Sequence, residues 1–132
     1  MREAGLDINP AWRVEVGTTV NTSYDAMKMW LAANPKLPTA FFVENDIMAL
    51  GCMRAMAERG IQIPDDVSMI GFDDLPYASI CNPPLTTARV PNREMGEIAT
   101  HRLMEQIRES RDYTCVTHLS TTFIERQSVK FL

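Results

Sequence analysis

Two pairs of polar side chains closely follow apolar segments of the chain. Asp73 and Asp74 come directly after the apolar run 67–72, and Asn45 and Asp46 follow a shorter apolar run. A carboxylate accepts hydrogen bonds from two hydroxyl groups, and an aromatic ring such as Phe72 can cover the apolar face of a sugar. The pattern therefore predicts a binding site for a polyhydroxylated ligand.

Helix capping is the alternative role for the same residue types. Asn45 and Asp46 precede a predicted helix, and for Asp46 capping is the favoured interpretation. Asp73 is followed by a segment without helical periodicity, so ligand binding is favoured there. Thr18 and Thr19 belong to a third polar segment, which is rich in N-capping residues and leads into another predicted helix.

The residues that catalysis or metal binding requires lack the necessary spacing. His101 and His118 have no Ser/His/Asp order, no HExxH and no GxSxG around them, and the chain has no glycine-rich phosphate motif. The three cysteines are far apart, without a CxxC or a Cys/His pair at ligand spacing. We therefore expect no enzyme activity, no metal and no cofactor.

Hydrophobic periodicity and turn residues predict an alternation of strands and helices. Helices are expected after the first, second and fourth predicted strands, and the segment 114–125 is Thr-rich and β-prone. The predicted strands are 12–16, 39–43, 67–72 and 85–90. The residues expected on the core side of the last helix are Met95, Ile98, Ala99, Leu103 and Ile107.

This alternation is typical of an α/β fold with a mainly parallel sheet and helices on both faces. The run 39–43 is continuously apolar, which suits a strand that is covered on both faces. Ligands bind such sheets outside the carboxyl ends of the strands. That edge would carry 17–21, 44–46, 72–74 and 90–92, and therefore the polar residues named above.

The second predicted helix is apolar around more than half of its circumference. Residues 47–53 contain no charge, and Met48 and Cys52 lie among small residues such as Gly51. Because an all-round apolar helix is buried on two sides, one side would face the sheet and the other a partner. The pattern predicts a homodimer.

Composition excludes two classes of partner. The 132 residues carry Lys+Arg 13 and Asp+Glu 17, a net charge of −4, so a basic nucleic-acid footprint is absent. The apolar stretches are shorter than the roughly 20 residues of a membrane helix. Residues 1–5 lack the apolar region of a signal peptide, and the cysteine pattern suits reduced thiols buried in the fold. A cytoplasmic domain is expected.

Four motifs in order resemble the LacI/GalR family of transcriptional regulators. Residues 38–51 are similar to its PTA…NDxxAxG segment, and 60–74 to its GxxxPxDVSxxGFDD segment. Residues 84–87 resemble the family's LTT motif, and 124–128 its closing RxS motif. Together they cover roughly residues 17 to 128.

The resemblance implies a periplasmic-binding-protein-like fold whose two subdomains close on an effector, usually a sugar, a sugar derivative or a nucleobase. Asp73 would then bind the effector with Phe72 beside it, and Asn45 would lie on the same pocket wall. Thr18, Thr19 and Asn92 match by location only. The residues expected at the family's dimer interface are Met48, Gly51, Cys52, Ala55, Tyr77, Ile80 and Cys81.

The resemblance also implies an incomplete domain. Residues 1–90 and 114–132 would form the C-terminal subdomain, and 91–110 a helix that packs on an absent N-terminal subdomain. A central strand and the DNA-binding headpiece would precede Met1, and dimerisation or strand exchange is expected to compensate. The expected function is effector sensing and dimerisation in a regulator that binds DNA through its headpiece. The alternative is the sugar-binding protein of a transporter, which shares the fold.

Overall fold

The computed structural model describes residues 9–109 and 113–130. Within these ranges, two short 3₁₀ helices, Pro10–Trp12 and Pro76–Ser79, accompany the main elements. The helices are α1 (Val20–Ala32), α2 (Asp46–Glu58) and α3 (Asn92–Glu109), and the strands are β1 (Ala40–Phe42), β2 (Ser68–Asp73), β3 (Thr86–Arg89) and β4 (Thr122–Ile124).

The strands form one sheet in the order β1-β2-β3-β4. The first three are parallel, with Phe42 opposite Ile70 and Asp73 opposite Arg89, whereas β4 runs antiparallel to β3. The predicted α/β fold with a mainly parallel sheet is confirmed. Because β1, β2 and β3 run in the same direction, their carboxyl ends lie at one edge.

Local capping interactions fix the ends of the helices. Thr19 caps α1 in a reciprocal capping box with Thr22, and the Asn45 side chain accepts the Met48 amide at the start of α2. Gly60 follows α2 with a φ of +74°, a left-handed conformation that glycine adopts without steric cost. The capping-rich segments identified in the sequence therefore do begin helices.

The hydrophobic core lies on one face of the sheet. Phe41 is buried and meets the Trp30 ring of α1 edge-on, with 5.7 Å between ring centroids. Gly71, which shares that face by strand register, lies against Asp46 of α2. Phe42 points to the opposite face and is 66% exposed. The prediction that β1 is covered on both faces is therefore wrong for the described residues.

The strand predicted at 12–16 is also wrong. Residues 10–12 form a 3₁₀ helix, and 13–17 carry no ladder hydrogen bonds to the sheet. Val14 and Val16 nevertheless pack against the core. Alternating apolar side chains indicate which residues pack against the core. A strand also needs hydrogen bonds to a neighbouring strand. Among the described residues β1 pairs with β2 alone, so no strand edge is shared with 13–17.

Helix α3 forms as predicted, but its apolar side is not part of a core. Within Asn92–Glu109 no residue is buried, and Leu103 and Ile107 are exposed, Ile107 by 68%. The expectation that this side faces the core of this chain is wrong. Of the β-prone segment 114–125, only Thr122–Ile124 is a strand.

Candidate functional site

The turn after β2, defined as beginning at the last strand residue Asp73, carries the residue that the sequence favours for ligand binding. Asp73 and Asp74 have φ angles of +107° and +58°, a region that non-glycine residues rarely adopt. No described residue donates a hydrogen bond to the half-buried Asp73 carboxylate. Burial, and then the negative charge of Asp46, raise the pKa of Asp73 above its ordinary value. Asp73 therefore presents an acceptor without an internal partner.

Asp74 has the opposite environment. Arg126 Nη2 lies 2.5 Å from its Oδ1 and Arg89 Nε 2.6 Å from its Oδ2, and the Asp74 side chain is only 6% exposed. Burial alone would raise the pKa of Asp74, but the hydrogen bonds from Arg126 and Arg89 outweigh it, and the pKa lies below its ordinary value. Asp74 is thus an internal anchor rather than a free ligand-binding group.

Asp46 is fully buried at the start of α2. Its Oδ1 accepts the Thr87 hydroxyl at 2.7 Å, and its Oδ2 accepts the Leu75 amide at 2.8 Å. A Cβ on Gly71 would lie 2.3 Å from Asp46 Oδ1, so glycine is required for this approach. The cap of α2 is Asn45, and Asp46 instead ties three segments together. The expectation that Asp46 caps the helix is therefore wrong, because Asn45 is the cap and both Asp46 oxygens accept hydrogen bonds from Leu75 and Thr87.

Of the other predicted ligand-binding residues, Asn45 and Asn92 follow strands that end at the same edge. Asn45 follows β1, and its Oδ1 is used by the helix cap. Thr18 is exposed, whereas Thr19 accepts the Thr22 amide as the cap of α1. Asn92 follows β3 and is exposed, with its amide bonded to the Val90 carbonyl. Strand direction thus brings Asn45, Asp73 and Asn92 to one edge.

Phe72 is half-buried on the face of the sheet opposite Gly71 and α2. Asp46, on the α2 side, is close enough to Asp73 to raise its pKa. The grouping of the Phe72 ring and the Asp73 carboxylate in one ligand-facing surface therefore stays a prediction.

Sequence reasoning missed the roles of two residues of the RxS motif. Arg126 donates to Leu85 O at 2.7 Å in addition to Asp74, and its amide donates to Thr86 Oγ1 at 2.9 Å. The buried Ser128 hydroxyl donates to Met69 O and accepts the Thr86 amide, so it bridges the chain at β2 and β3. The RxS motif pointed to Arg126 and Ser128 as important. Their hydrogen-bond partners are 40 or more positions away in the sequence, so the motif did not show their roles.

The comparison with protein families matches nearly the entire chain. A family model described as a periplasmic binding protein-like domain covers residues 1–129. The chain belongs to this family.

Relatives and solved structures narrow the assignment. The chain is 38% identical over 130 residues to the HTH-type transcriptional repressor PurR of Pasteurella multocida, covering 98% of this chain and 39% of that protein. It is similar to a structure of the transcriptional regulator CelR in complex with cellobiose, with a TM-score of 0.88 and 26% identity over 96% of this chain and 38% of that one. A LacI family regulator from Enterococcus faecalis with bound ribose has a TM-score of 0.77 and 32% identity, over 87% and 42% of the two chains.

These matches identify the chain as the C-terminal part of a LacI/GalR-type effector-binding domain, as the motifs predicted. They favour the ligand-binding portion of a regulator over the binding protein of a transporter. The chain spans about two fifths of the length of the curated relatives.

Within this periplasmic binding protein-like domain, the apolar surface of α2 is largely covered by α1. A Cβ on Gly51 would lie 2.3 Å from Val20 O and 2.8 Å from the Tyr24 amide. Met48, Cys52 and Ala55 are also buried in the single chain. The inference that this side of α2 requires a second copy was therefore wrong, because α1 supplies the covering helix. Of the predicted interface, Tyr77 and Ile80 are exposed and Cys81 is half-buried.

Other candidate features are accounted for within the described ranges. His101 and His118 are exposed. Cys52 is buried, which raises the pKa of its thiol to about 11, whereas Cys115 is exposed, contrary to the expectation of buried thiols. Residues 9–109 and 113–130 contain no group of three metal-ligating side chains. None of the helices described in the periplasmic binding protein-like domain has the length and apolar character to cross a membrane.

Proposed function

We propose that the chain senses a small-molecule effector, a sugar or sugar derivative, in a LacI/GalR-type transcriptional regulator. The observation that carries this proposal is the Asp73 carboxylate, which lies at the carboxyl edge of the sheet without an internal hydrogen-bond donor among the described residues. Every other carboxylate in this turn and at the start of α2 is engaged, Asp74 by two arginines and Asp46 by Thr87 and Leu75.

The chemistry of the free carboxylate supports a polyhydroxylated effector. An ionised Asp accepts hydrogen bonds through both oxygens, which matches neighbouring hydroxyl groups on a sugar ring. The similar regulator structures contain cellobiose or ribose. Asn45 and Asn92 flank Asp73 along the same edge and would add side-chain amides, which can both donate and accept. Thr18 would supply a variable contact from the loop before α1.

DNA binding would belong to another part of the regulator. The relatives are called HTH-type repressors, and the chain covers 39% of their length. With a net charge of −4, this part lacks the basic surface that phosphate contacts require. We place the regulator in the cytoplasm and assign no catalytic role or cofactor to the chain.

The exposed apolar side of α3 would pack on the N-terminal subdomain of the same domain. Homodimerisation would use the remaining exposed part of the predicted interface, Tyr77 and Ile80, of which Ile80 is 77% exposed.

Effector binding is tested by Asp73→Ala, with Asp65→Ala as the control. Asp65 precedes β2 and has an exposed carboxylate, which lies 3.7 Å from Lys130 Nζ. Calorimetric titration of the full-length regulator with ribose, cellobiose and a set of nucleobases measures the affinity. We expect Asp73→Ala to weaken sugar binding by about 2–4 kcal/mol, because a hydrogen bond to a charged group is lost and its partner is left unpaired.

Two results would contradict the proposal. Unchanged sugar affinity in Asp73→Ala would remove the role of Asp73, and binding of a nucleobase alone would remove the sugar assignment. The gene context tests the regulator itself: in-frame translation upstream of Met1 is expected to encode a helix-turn-helix segment. A signal peptide there would instead favour the transport binding protein.

A further inference from the structure

The turn after β2 holds two successive aspartates in an unfavourable backbone region. Residues other than glycine are strained at positive φ, and they persist there only where the surrounding structure fixes them. Asn and Asp tolerate the left-handed region near +58° better than other residues, which suits Asp74. The φ of +107° at Asp73 lies outside that region, so its neighbours must hold it.

The anchoring contacts lie on the two residues that follow Asp73. The Asp74 carboxylate is held by Arg89 and Arg126 at 2.6 and 2.5 Å. The Leu75 amide is held by Asp46 at 2.8 Å. These contacts come from β3, from the segment after β4, and from α2. A turn that is tied to three separate elements cannot relax without breaking one of them.

The arginines that hold Asp74 are themselves fixed. Arg126 donates to Leu85 O at the start of β3, and its own amide is bound by Thr86. Arg89 lies in β3 directly opposite Asp73 in the strand register. The guanidinium of Arg126 is therefore held by the sheet, and the strand register places the backbone of Arg89.

We propose that Asp74, clamped between Arg89 and Arg126, is a positioning residue that fixes the backbone of Asp73 for effector binding; this rests on the proposed effector role of Asp73. Asp74 accepts the hydrogen bonds of Arg89 Nε and Arg126 Nη2, so these two atoms do not donate to the neighbouring carboxylate. Asp73 then remains an acceptor for the effector.

The first test is made on the 132-residue chain without a ligand, by NMR of Asp74→Asn. Asn also tolerates positive φ, so a change cannot be attributed to the backbone preference of the new residue. We expect the Cα shift of Asp73 to move towards extended values and the Leu75 amide to exchange at least about tenfold faster, while core amides of α2 stay protected. Unchanged Asp73 and Leu75 signals would overturn the proposal.

Two further variants keep this test decisive. Arg89→Met removes one of the two donors to Asp74. Because the Arg89 side chain is 55% exposed, this variant is expected to fold, and it replaces Asp74→Asn if that variant does not fold. It is expected to produce the same changes at Asp73 and Leu75 with smaller size, and their absence would overturn the proposal in that case. Asp65→Asn is the matched surface control and is expected to leave both signals unchanged.

The second test is a double-mutant cycle on the full-length regulator with ribose and cellobiose. Asp74→Asn is expected to weaken sugar binding about tenfold, and to cause no further loss in the Asp73→Ala background, because coupled residues are not additive. If the losses of sugar affinity are additive, the positioning role of Asp74 is contradicted, because a general destabilisation would weaken binding equally with and without Asp73. If the unaltered regulator binds neither sugar, the sugar assignment fails, and the NMR test on the ligand-free chain still decides the role of Asp74.

Discussion

The turn after β2 and helix α3 are both built from clear sequence patterns, but they end in opposite environments. The turn is held by buried contacts from α2, β3 and the segment after β4. Helix α3 has a regular apolar side, yet none of its residues is buried. The turn after β2 is thus held by contacts within this chain, whereas the apolar side of α3 is not covered by the described residues.

This difference separates two kinds of sequence signal. Amphipathic periodicity specifies that a helix forms and which side is apolar, because it depends on spacing along one element. The contacts of the turn depend on residues 15 to 52 positions apart. Substitutions of the same type in the two regions should therefore have unequal effects on the free energy of unfolding.

The largest difference is expected for methionine. Met56→Ala empties space in the centre of the core, where Met56 is fully buried, and should lower the free energy of unfolding by about 2–5 kcal/mol. Met104→Ala on α3 should change it by less than about 0.5 kcal/mol, because Met104 is 43% exposed and no residue of α3 is buried. Urea denaturation followed by circular dichroism measures both. Equal losses would show that α3 is packed in solution.

Asp46→Ala tests the internal contacts of the turn. It removes the acceptor of the Leu75 amide and the Thr87 hydroxyl in a fully buried position, and should cost about 2–4 kcal/mol. Glu94→Ala in the first turn of α3 loses only an exposed interaction with the helix dipole, worth up to about 1 kcal/mol. Denaturant unfolding of both variants gives the comparison, and a loss for Asp46→Ala no larger than that for Glu94→Ala would remove the structural role of Asp46.

Replacing a glycine by alanine should have opposite effects in the two regions, destabilising the core and favouring helix formation in α3. Gly51→Ala places a methyl group against the α1 backbone and should cost about 1–3 kcal/mol through overpacking. Gly96→Ala on α3 meets no atom within 4 Å and should raise the helix content measured by far-UV circular dichroism. Destabilisation by Gly96→Ala would indicate a partner close to α3.

The smallest effect is the pH dependence of stability within the turn. The pKa of Asp74 is lowered on folding, so its contribution is present above the ordinary pKa of Asp, about 3.9, and is lost as the pH falls through the lowered value. The pKa of Asp73 is raised, so its ionisation opposes folding as the pH rises through that value.

Unfolding of Asp73→Asn and Asp74→Asn between acid and neutral pH checks these signs. Relative to the unaltered chain, Asp73→Asn should gain stability at neutral pH, whereas Asp74→Asn should lose stability there and lose less in acid. The same sign for both variants at neutral pH would contradict the different environments of the two carboxylates.

The fold could be predicted from the sequence where elements are defined locally. Runs such as 67–72 specify buried strands, and Thr19 and Asn45 specify helix starts, because these signals lie within a few residues. The segment 12–16 was predicted as a strand from alternation alone. It is not one, since a ladder requires a neighbouring strand that no local pattern can supply.

The site could be predicted in part for the same reason. Parallel strand order brought Asn45, Asp73 and Asn92 to one edge, and this follows from the order of elements along the chain. The clamp on Asp74 was not predictable from spacing, because Arg126 lies 52 positions away and a charge pair leaves no periodic pattern. The sequence predicts that a second copy of the chain packs against Gly51, whereas α1 does so. An apolar surface does not show which helix packs on it.

The sequence by itself determined the elements, their order, the strand-end positions of the polar residues and the motifs of the family. Only the tertiary structure decided which of two adjacent aspartates stays free. Asp73 and Asp74 are adjacent and have the same side chain, and no sequence pattern shows that Arg89 and Arg126 bind the second one. The positions of Arg89 and Arg126 in the folded chain give one carboxylate two cationic partners and leave the other available to a ligand.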